Sequence, residues 1–355
     1  MANSVTVRDI AQGASVSVAT VSRVLNNHHH VKEEVRQRVF KAAKELGYFE
    51  KSSNQSNEAR LTSKQLKEIS FIYSSSFDAT PVFANPFWSH ILQGAEREAN
   101  RTNIKVSYRT VSDMSSSSGL WTSALKESSL GGILLVGPAE PSVVQAMKET
   151  RLPVVMIDNY IPHVQLDAVI SDNFEGAKQA VEYLVSKAHK QIAFIGGPVL
   201  QGIRPVNKIY TIERRAAGYR TALLDAGLEV NYDLYESSDL SAKGGYQACL
   251  RLLEKGNKFT ALFCANDECA FGAMKALREA GLDTPEDVSV IGFDDVDMAQ
   301  LYHPALTTVR VNKEAMGAMA VKTLIGRATD PDAVNATVML EVELIERESV
   351  REIKG

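Results

Sequence analysis

Cysteine is scarce: Cys249, Cys264 and Cys269 are the only three among 355 residues, and none forms a C-x-x-C pair. An odd number cannot all pair, which excludes a disulfide scaffold, and the spacing excludes a zinc ribbon. Long apolar runs are missing too: no window of eighteen apolar residues exists, which argues against a transmembrane helix. The N-terminus MANSVTVRDIAQ places Arg8 and Asp9 where a secretory signal needs an unbroken apolar run. A soluble, cytoplasmic protein with no membrane partner is therefore expected. Three catalytic signatures are also lacking, namely a G-x-x-x-x-G-K-[ST] phosphate loop, a G-x-G-x-x-G after the first strand of either α/β unit and a G-x-S-x-G elbow. The neighbours Asp294 and Asp295 invite an acid/base reading, but adjacent loop residues tend to point apart. Binding is favoured over catalysis, and neither a cofactor nor a metal is expected.

What is present is a globular balance, 45% apolar and 23% charged, in a chain long enough for two or three folded units. The net charge of -4 hides an asymmetry. Residues 1–67 hold 11 basic and 6 acidic side chains, net +5, whereas the remaining 288 residues carry net -9. A basic head before an acidic body is the electrostatic footprint of a nucleic-acid reader, although such a run also fits a solvated face.

The head has helical periodicity. Thr6 precedes Val7, Ile10, Ala11 and Ala14, one buried face behind a hydroxyl cap, and Ser17 caps a second helix with Val21, Val24 and Leu25 inward. After the loop from Asn26 to His30, Val35, Val39, Ala42, Ala43 and Leu46 line a third helix, with Gly47 as its C′ residue. This is a helix-turn-helix in a three-helix head, residues 1–48. The small residues of the second helix permit close approach to a major groove. There Arg23 is suited to a bidentate grip on guanine, and Val18 and Ala19 to apolar contact. Thr6, Ser17, Thr20, Ser22 and Asn26 are suited to phosphate oxygens. A three-helix packing module with solvated caps is the plainer alternative. Three consecutive histidines, His28 to His30, do not converge easily on one ion, so a solvated loop is preferred to a metal site.

The run Val7-Arg8-Asp9-Ile10-Ala11 followed by Val16-Ser17-Val18-Ala19-Thr20-Val21-Ser22-Arg23-Val24-Leu25-Asn26 resembles the N-terminal signature of the LacI/GalR family of transcriptional regulators. The resemblance puts Val18, Ala19 and Arg23 at base-reading positions, and Thr6, Ser17, Thr20, Ser22, Asn26 and His30 at phosphate-contacting ones. Ser15 departs from the family, which commonly has glycine in this turn. A left-handed backbone there would strain a serine.

Residues 49–67, FEKSSNQSNEARLTSKQLK, lack apolar periodicity and are expected to be frayed in isolation. In the family this connector forms a hinge helix on DNA and wedges a leucine into the minor groove, a role that falls here to Leu61. The family's proline-asparagine opening after Tyr48 is missing, so a plain flexible linker is the alternative.

From residue 68 onward, strand-like runs alternate with helix-length segments. Strands are expected at Ile69 to Tyr73, Ile104 to Tyr108, Gly132 to Val136 and Val154 to Ile157. They resume at Ala168 to Ile170, Ile192 to Ile195, Leu234-Tyr235, Ala261 to Cys264 and Val288 to Ile291. The expected fold class is α/β: two parallel subdomains behind the three-helix head. Their limits are placed at about 68–163 plus 308–327, and about 164–307 plus 328–355.

Ligands of parallel sheets bind beyond the carboxyl ends of the strands. Asp158, Asn266-Asp267 and Asp294-Asp295 follow such runs, and Phe87 and Trp88 open the first helix of the body. Carboxylates, an amide, an arginine and an aromatic platform make a sugar-binding set; singly, a strand-end Asp is more often a cap and Trp88 more often core.

The body also resembles the LacI/GalR family and periplasmic sugar-binding proteins, through Ile195-Gly196-Gly197-Pro198, Arg215-Ala216-Ala217-Gly218-Tyr219, Ala265-Asn266-Asp267 and Ile291-Gly292-Phe293-Asp294-Asp295. That resemblance implies effector contacts at Asp158, Arg215, Asn266 and Asp294, with Phe87 and Trp88 lining the cleft. Leu240 stands where some sugar-binding members have tryptophan. The function implied is a repressor that binds near-palindromic operator DNA under control of a small sugar, with a galactoside as the class the resemblance suggests. A homodimer is expected, because two heads joined through their bodies read a near-palindrome with multiplied affinity, and no leucine heptad of the kind that tetramerises some family members precedes the final SVREIKG. A sugar-binding transport component and a cytosolic sugar-processing enzyme are the competing classes.

Overall fold

The computed structural model describes residues 7–25, 35, 38–39, 41–42, 66–74, 85–111, 130–197 and 209–353. The chain divides into two compact units, residues 1–60 and 61–355.

In the first unit, α1 (Val7–Gly13) and α2 (Val18–Leu25) follow the predicted spacing. Ile10, Ala11, Ala14, Val21 and Val24 are buried together, and Val39 and Ala42 join them from the segment predicted as the third helix. Thr6, Asn26, His30 and the connector up to residue 65, Leu61 included, lie outside the described residues.

The described strands of the second unit are β1 (Glu68–Tyr73), β2 (Lys105–Thr110), β3 (Gly132–Val136), β4 (Val154–Ile157), β5 (Asp167–Ser171), β6 (Ile192–Gly196), β7 (Tyr235–Ser237), β8 (Ala261–Cys264), β9 (Ser289–Asp294), β10 (Thr307–Val311), β11 (Thr337–Leu340) and β12 (Val342–Ile345). They build two six-stranded sheets, ordered β11-β5-β4-β3-β1-β2 and β12-β10-β9-β8-β6-β7. Every pairing is parallel except β10 with β12. Strands such as GILLV and VVMI are buried along their whole length, as expected where helices cover both faces of a parallel sheet.

The helices of this unit are α3 (Pro86–Arg101), α4 (Pro141–Glu149), α5 (Asn173–Ser186), α6 (Tyr210–Asp225), α7 (Ala242–Glu254), α8 (Asp267–Glu279), α9 (Met298–Leu301) and α10 (Lys313–Thr329). Asn85 caps α3 by accepting the Phe87 and Trp88 amides, and Pro86 occupies the first turn, where a missing N–H costs nothing. Helices α3 and α10 pack closely on the first sheet. A Cβ on Gly94 would lie 2.0 Å from the Glu314 carbonyl, and one on Gly317 the same distance from that of Ile91, so only glycine permits this crossing.

The two halves are not separated where the sequence suggested. Ala168 to Ile170, expected to open the second half, belongs to β5 in the first sheet. The segment 307–311, expected near the return to the first half, is β10 of the second sheet, and β11 beyond α10 still belongs to the first. The chain therefore passes between halves at Asp172, Asn312 and Glu341, each just past a strand end. An apolar run carries no mark of which of two similar sheets it joins; that is decided by long-range pairing. Asp172 and Asn312 cap the helices that follow, accepting the Glu175 and Ala315 amides. Among the described residues, no helix is long and apolar enough to cross a membrane.

Candidate functional site

In the head, the turn between α1 and α2 is closed by the Ala14, Ser15 and Val16 amides, which donate to Ile10, Gln12 and Ala11 carbonyls. Ser15 has φ 54°, the left-handed conformation where the family resemblance calls for glycine. Ser17 caps α2, its Oγ accepting the Thr20 amide at 3.1 Å and lying 2.8 Å from the Thr20 hydroxyl. Val18 is 45% exposed on the first turn of α2 while Val21 and Val24 are buried. Val18 thus leaves an apolar side chain in contact with water at the start of α2, beside the buried face. Ala19, Ser22 and Arg23 lie on the same helix; their side chains are outside the described set.

In the body, three of the predicted residues come together. Arg215, on α6, is 2% exposed. Its Nε donates to Asn173 Oδ1 at 2.7 Å, its Nη1 donates to the Ala265 carbonyl, and its guanidinium stacks 3.8 Å from the Phe293 ring centroid. Nη1 also lies 3.2 Å from Asp294 Oδ1. Asp294 ends β9 in the second half, whereas Asp158 follows β4 in the first, so the two acids approach the same arginine from opposite sheets. Both have positive φ, 111° and 52°, a strain for residues other than glycine that the surrounding packing must sustain.

Burial pushes the Asp158 carboxyl up to about 7; Arg215 opposes this and Asp294 adds to it. Asp294 is also raised by burial, against the pull of Arg215 and Lys313. Lys313, buried at the start of α10, donates to the backbone carbonyls of Asp294 and Asp295 at 2.6 and 2.8 Å. Asp295 turns away to Arg310 and Arg347, at 2.7 and 2.6 Å. Burial works against its charge, yet these two arginines hold its carboxyl below the usual aspartate range. The neighbouring acids thus do not form a couple. Asp267 is committed to structure, accepting the Thr308 hydroxyl and the Val296 amide.

The other predicted residues differ. Asn266 caps α8 through Oδ1, which accepts the Cys269 amide at 3.0 Å, and its Nδ2 donates to the Leu240 carbonyl at 2.9 Å. Leu240 is left-handed, φ 68°, so Asn266 pins a strained turn. Phe87 is buried in the core, edge-on to Trp88 at 4.8 Å. Trp88 is half-buried, 5.6 Å from the Tyr73 ring, beside Gly137, whose amide donates to the Ile157 carbonyl next to Asp158. Asn173, Phe293 and Lys313 escaped the sequence reading. Phe293 looks like any apolar strand residue, and nothing local marks Asn173 or Lys313, because their partners are 42 and 19 residues away.

Known proteins match along the whole chain. Residues 6–50 match the model of bacterial regulatory proteins of the lacI family, and residues 181–350 match a periplasmic binding protein-like domain. The transcriptional repressor CytR of Escherichia coli K12 is 30% identical over 98% of this chain and 96% of its own. The probable transcriptional repressor ExuR of Bacillus subtilis is 28% identical over 98% and 99%. Among solved structures, the regulator CelR in complex with cellobiose superposes with a TM-score of 0.71 at 28% identity, covering 97% of this chain and 99% of that one. The lac repressor dimer bound to operator and the anti-inducer ONPF gives 0.67 at 26%, covering 98% and 100%. With a lacI-type helix-turn-helix ahead of a periplasmic-binding-protein-like body, and a relative of 30% identity over nearly all its length, this chain belongs to the LacI family of bacterial transcriptional regulators.

Proposed function

We propose that the chain is a repressor that binds a near-palindromic operator as a homodimer and is controlled by a small sugar held in the body. In the head, Val18, Ala19 and Arg23 read base edges. Thr6, Ser17, Thr20, Ser22, Asn26 and His30 set the register on phosphates, and Leu61 wedges the minor groove. In the body, Asp158, Arg215 and Asp294 bind the effector, with Trp88 as apolar platform and Phe87 behind it. Asn266 acts by shaping the Leu240 turn. The observation that carries the reading is the Asp158–Arg215–Asp294 cluster, in which each half of the body contributes an acid to one buried arginine. A ligand bridging those groups has different contacts in open and closed arrangements, which is what coupling to the DNA-binding end requires. A coupling of about 1 to 3 kcal/mol changes operator affinity by about 5-fold to 150-fold.

The test is fluorescence anisotropy on palindromic and scrambled duplexes at several salt concentrations, with and without galactosides, ribose and cellobiose. Expected are sequence preference, steep salt dependence and a shift with one sugar. Equal affinity for all duplexes, or none at low salt, removes the regulator reading. Arg23→Ala should weaken specific binding by about 1 to 3 kcal/mol and relax one operator position.

A further inference from the structure

The cleft has a charge signature that selects among sugars. We infer that it takes an uncharged or aminated polyhydroxyl ligand, one that donates hydrogens to Asp158 and Asp294 together, and rejects sugar acids and sugar phosphates. The inference rests on the reading of this cleft as an effector site.

Three observations lead there. First, Asp158 is 6% exposed and Asp294 7%, and among the described residues the Oδ1 of each lacks a hydrogen bond. At Asp294 that oxygen is poorly served rather than wholly unserved, because Arg215 Nη1 stands 3.2 Å away as an ion-pair partner that draws its carboxyl down against burial. Buried acceptors left without donors are costly, and a ligand bearing hydroxyls or an ammonium group supplies what is missing.

Second, the cation that an anionic ligand would need is already engaged. A carboxylate or phosphate is gripped best by two parallel guanidinium donors. On Arg215 the Nε edge serves Asn173, and on the other edge Nη1, with its two hydrogens, faces both the Ala265 carbonyl and Asp294 Oδ1, so neither edge is a free two-donor fork. Lys313 is likewise turned to two backbone carbonyls.

Third, among the described residues the cations nearest the two acids, Arg215 and Lys313, are already engaged in opposing the cost of their burial. Asp294 adds to the effect of burial at Asp158, and Glu268, on the first turn of α8, adds to it at Asp294. Burial outweighs the pull of the two cations and makes both carboxyls reluctant to ionise. A further anion would meet repulsion; a hydroxyl or ammonium donor would relieve it.

The experiment is a thermal-shift panel on the full chain at pH 8, using matched probes. The neutral set is galactose, glucose, ribose and cellobiose; glucosamine is the aminated member; galacturonate, glucuronate and glucose 6-phosphate are the acids. A neutral or aminated probe should raise the melting temperature, its acidic counterpart should bind about tenfold or more weakly, and Asp158→Asn should abolish the shift. A shift produced by an acid but not by its neutral partner overturns the inference and leaves the sugar-effector reading intact. Asp158→Asn without ligand gives a second readout. At pH 8 it should melt a few degrees higher than the parent, because a buried carboxylate with one oxygen lacking a donor is replaced by a neutral group of the same shape. A lower melting temperature overturns the inference whatever the panel shows. A panel silent throughout, with a raised variant melting temperature, keeps the charge argument and removes the sugar.

Discussion

The ring of Tyr160, two residues beyond Asp158, lies 5.0 Å from that of Tyr210, the first residue of α6, at an interplanar angle of 57°. One ring follows a strand of the first sheet and the other opens a helix of the second half, so the halves of the body touch beside the acid cluster. His90 on α3 makes a second such contact, 3.7 Å from Asp297 ahead of α9.

The aromatic pair should help hold the ligand-free cleft shut. Tilted aromatic pairs contribute about 0.5 to 1.5 kcal/mol beyond their buried area, enough to shift an open-closed balance about 2-fold to 10-fold. Tyr210→Ala is expected to enlarge the radius of gyration measured by small-angle scattering. An unchanged scattering profile would show that closure is held elsewhere.

Stability should fall as pH rises from about 4 to about 7. The Asp158 carboxyl stands near 7 in the folded chain against an ordinary 3.8, so the unfolded chain gives up that proton first. Its stabilising effect is complete below the unfolded value and is lost as pH climbs through the folded one. A gap of about three pH units sets an upper limit of about 4 kcal/mol. Asp294 and Asp267, also raised by burial, act in the same direction. Urea denaturation across this range should show a smaller decline in Asp158→Asn; equal slopes would refute the assignment to Asp158.

Arg215→Ala should do more than abolish the sugar response. The guanidinium ties α6 to Asn173 at the start of α5 and to the carbonyl beyond β8, and it compensates Asp294. Removing one partner of a buried ion pair costs about 3 to 5 kcal/mol. The melting temperature of the variant should drop by several degrees, and Asp294→Asn placed on top of it should recover part of the loss. No recovery would mean that the loss comes from the bonds to Asn173 and the Ala265 carbonyl and from packing on Phe293, and not from the charge left on Asp294.

Ser15→Gly should stabilise the head. A left-handed residue with a Cβ costs about 1 to 2 kcal/mol, of which the greater freedom of unfolded glycine returns a part. A net gain of a few tenths to about 1 kcal/mol should appear as slower hydrogen exchange in α1 and α2 of the full chain. Faster exchange would contradict the strain argument.

Much of this was legible in the residues. Strands β3, β4 and β8 fall on the runs predicted for them, because strands covered on both faces must be apolar along their length. The helix-turn-helix could be read from buried positions spaced three and four apart, each run behind a hydroxyl cap. Strand-end position singled out Asp158 and Asp294, which the fold brings beside Arg215 at the carboxyl ends of their strands.

Local pattern stopped at the points where partners are distant in sequence. It could not say that β5 joins the first sheet and β10 the second, because either sheet satisfies the same apolar run. Nor could it separate Asp294 from Asp295: one turns to Arg215 in the cleft and the other to Arg310 and Arg347, a choice made by backbone conformation and by arginines brought from elsewhere in the chain. Composition and periodicity decided which elements form and what chemistry they carry. Folding in three dimensions decided which acids stay unpaired, because that depends on which donors the packed chain leaves within reach.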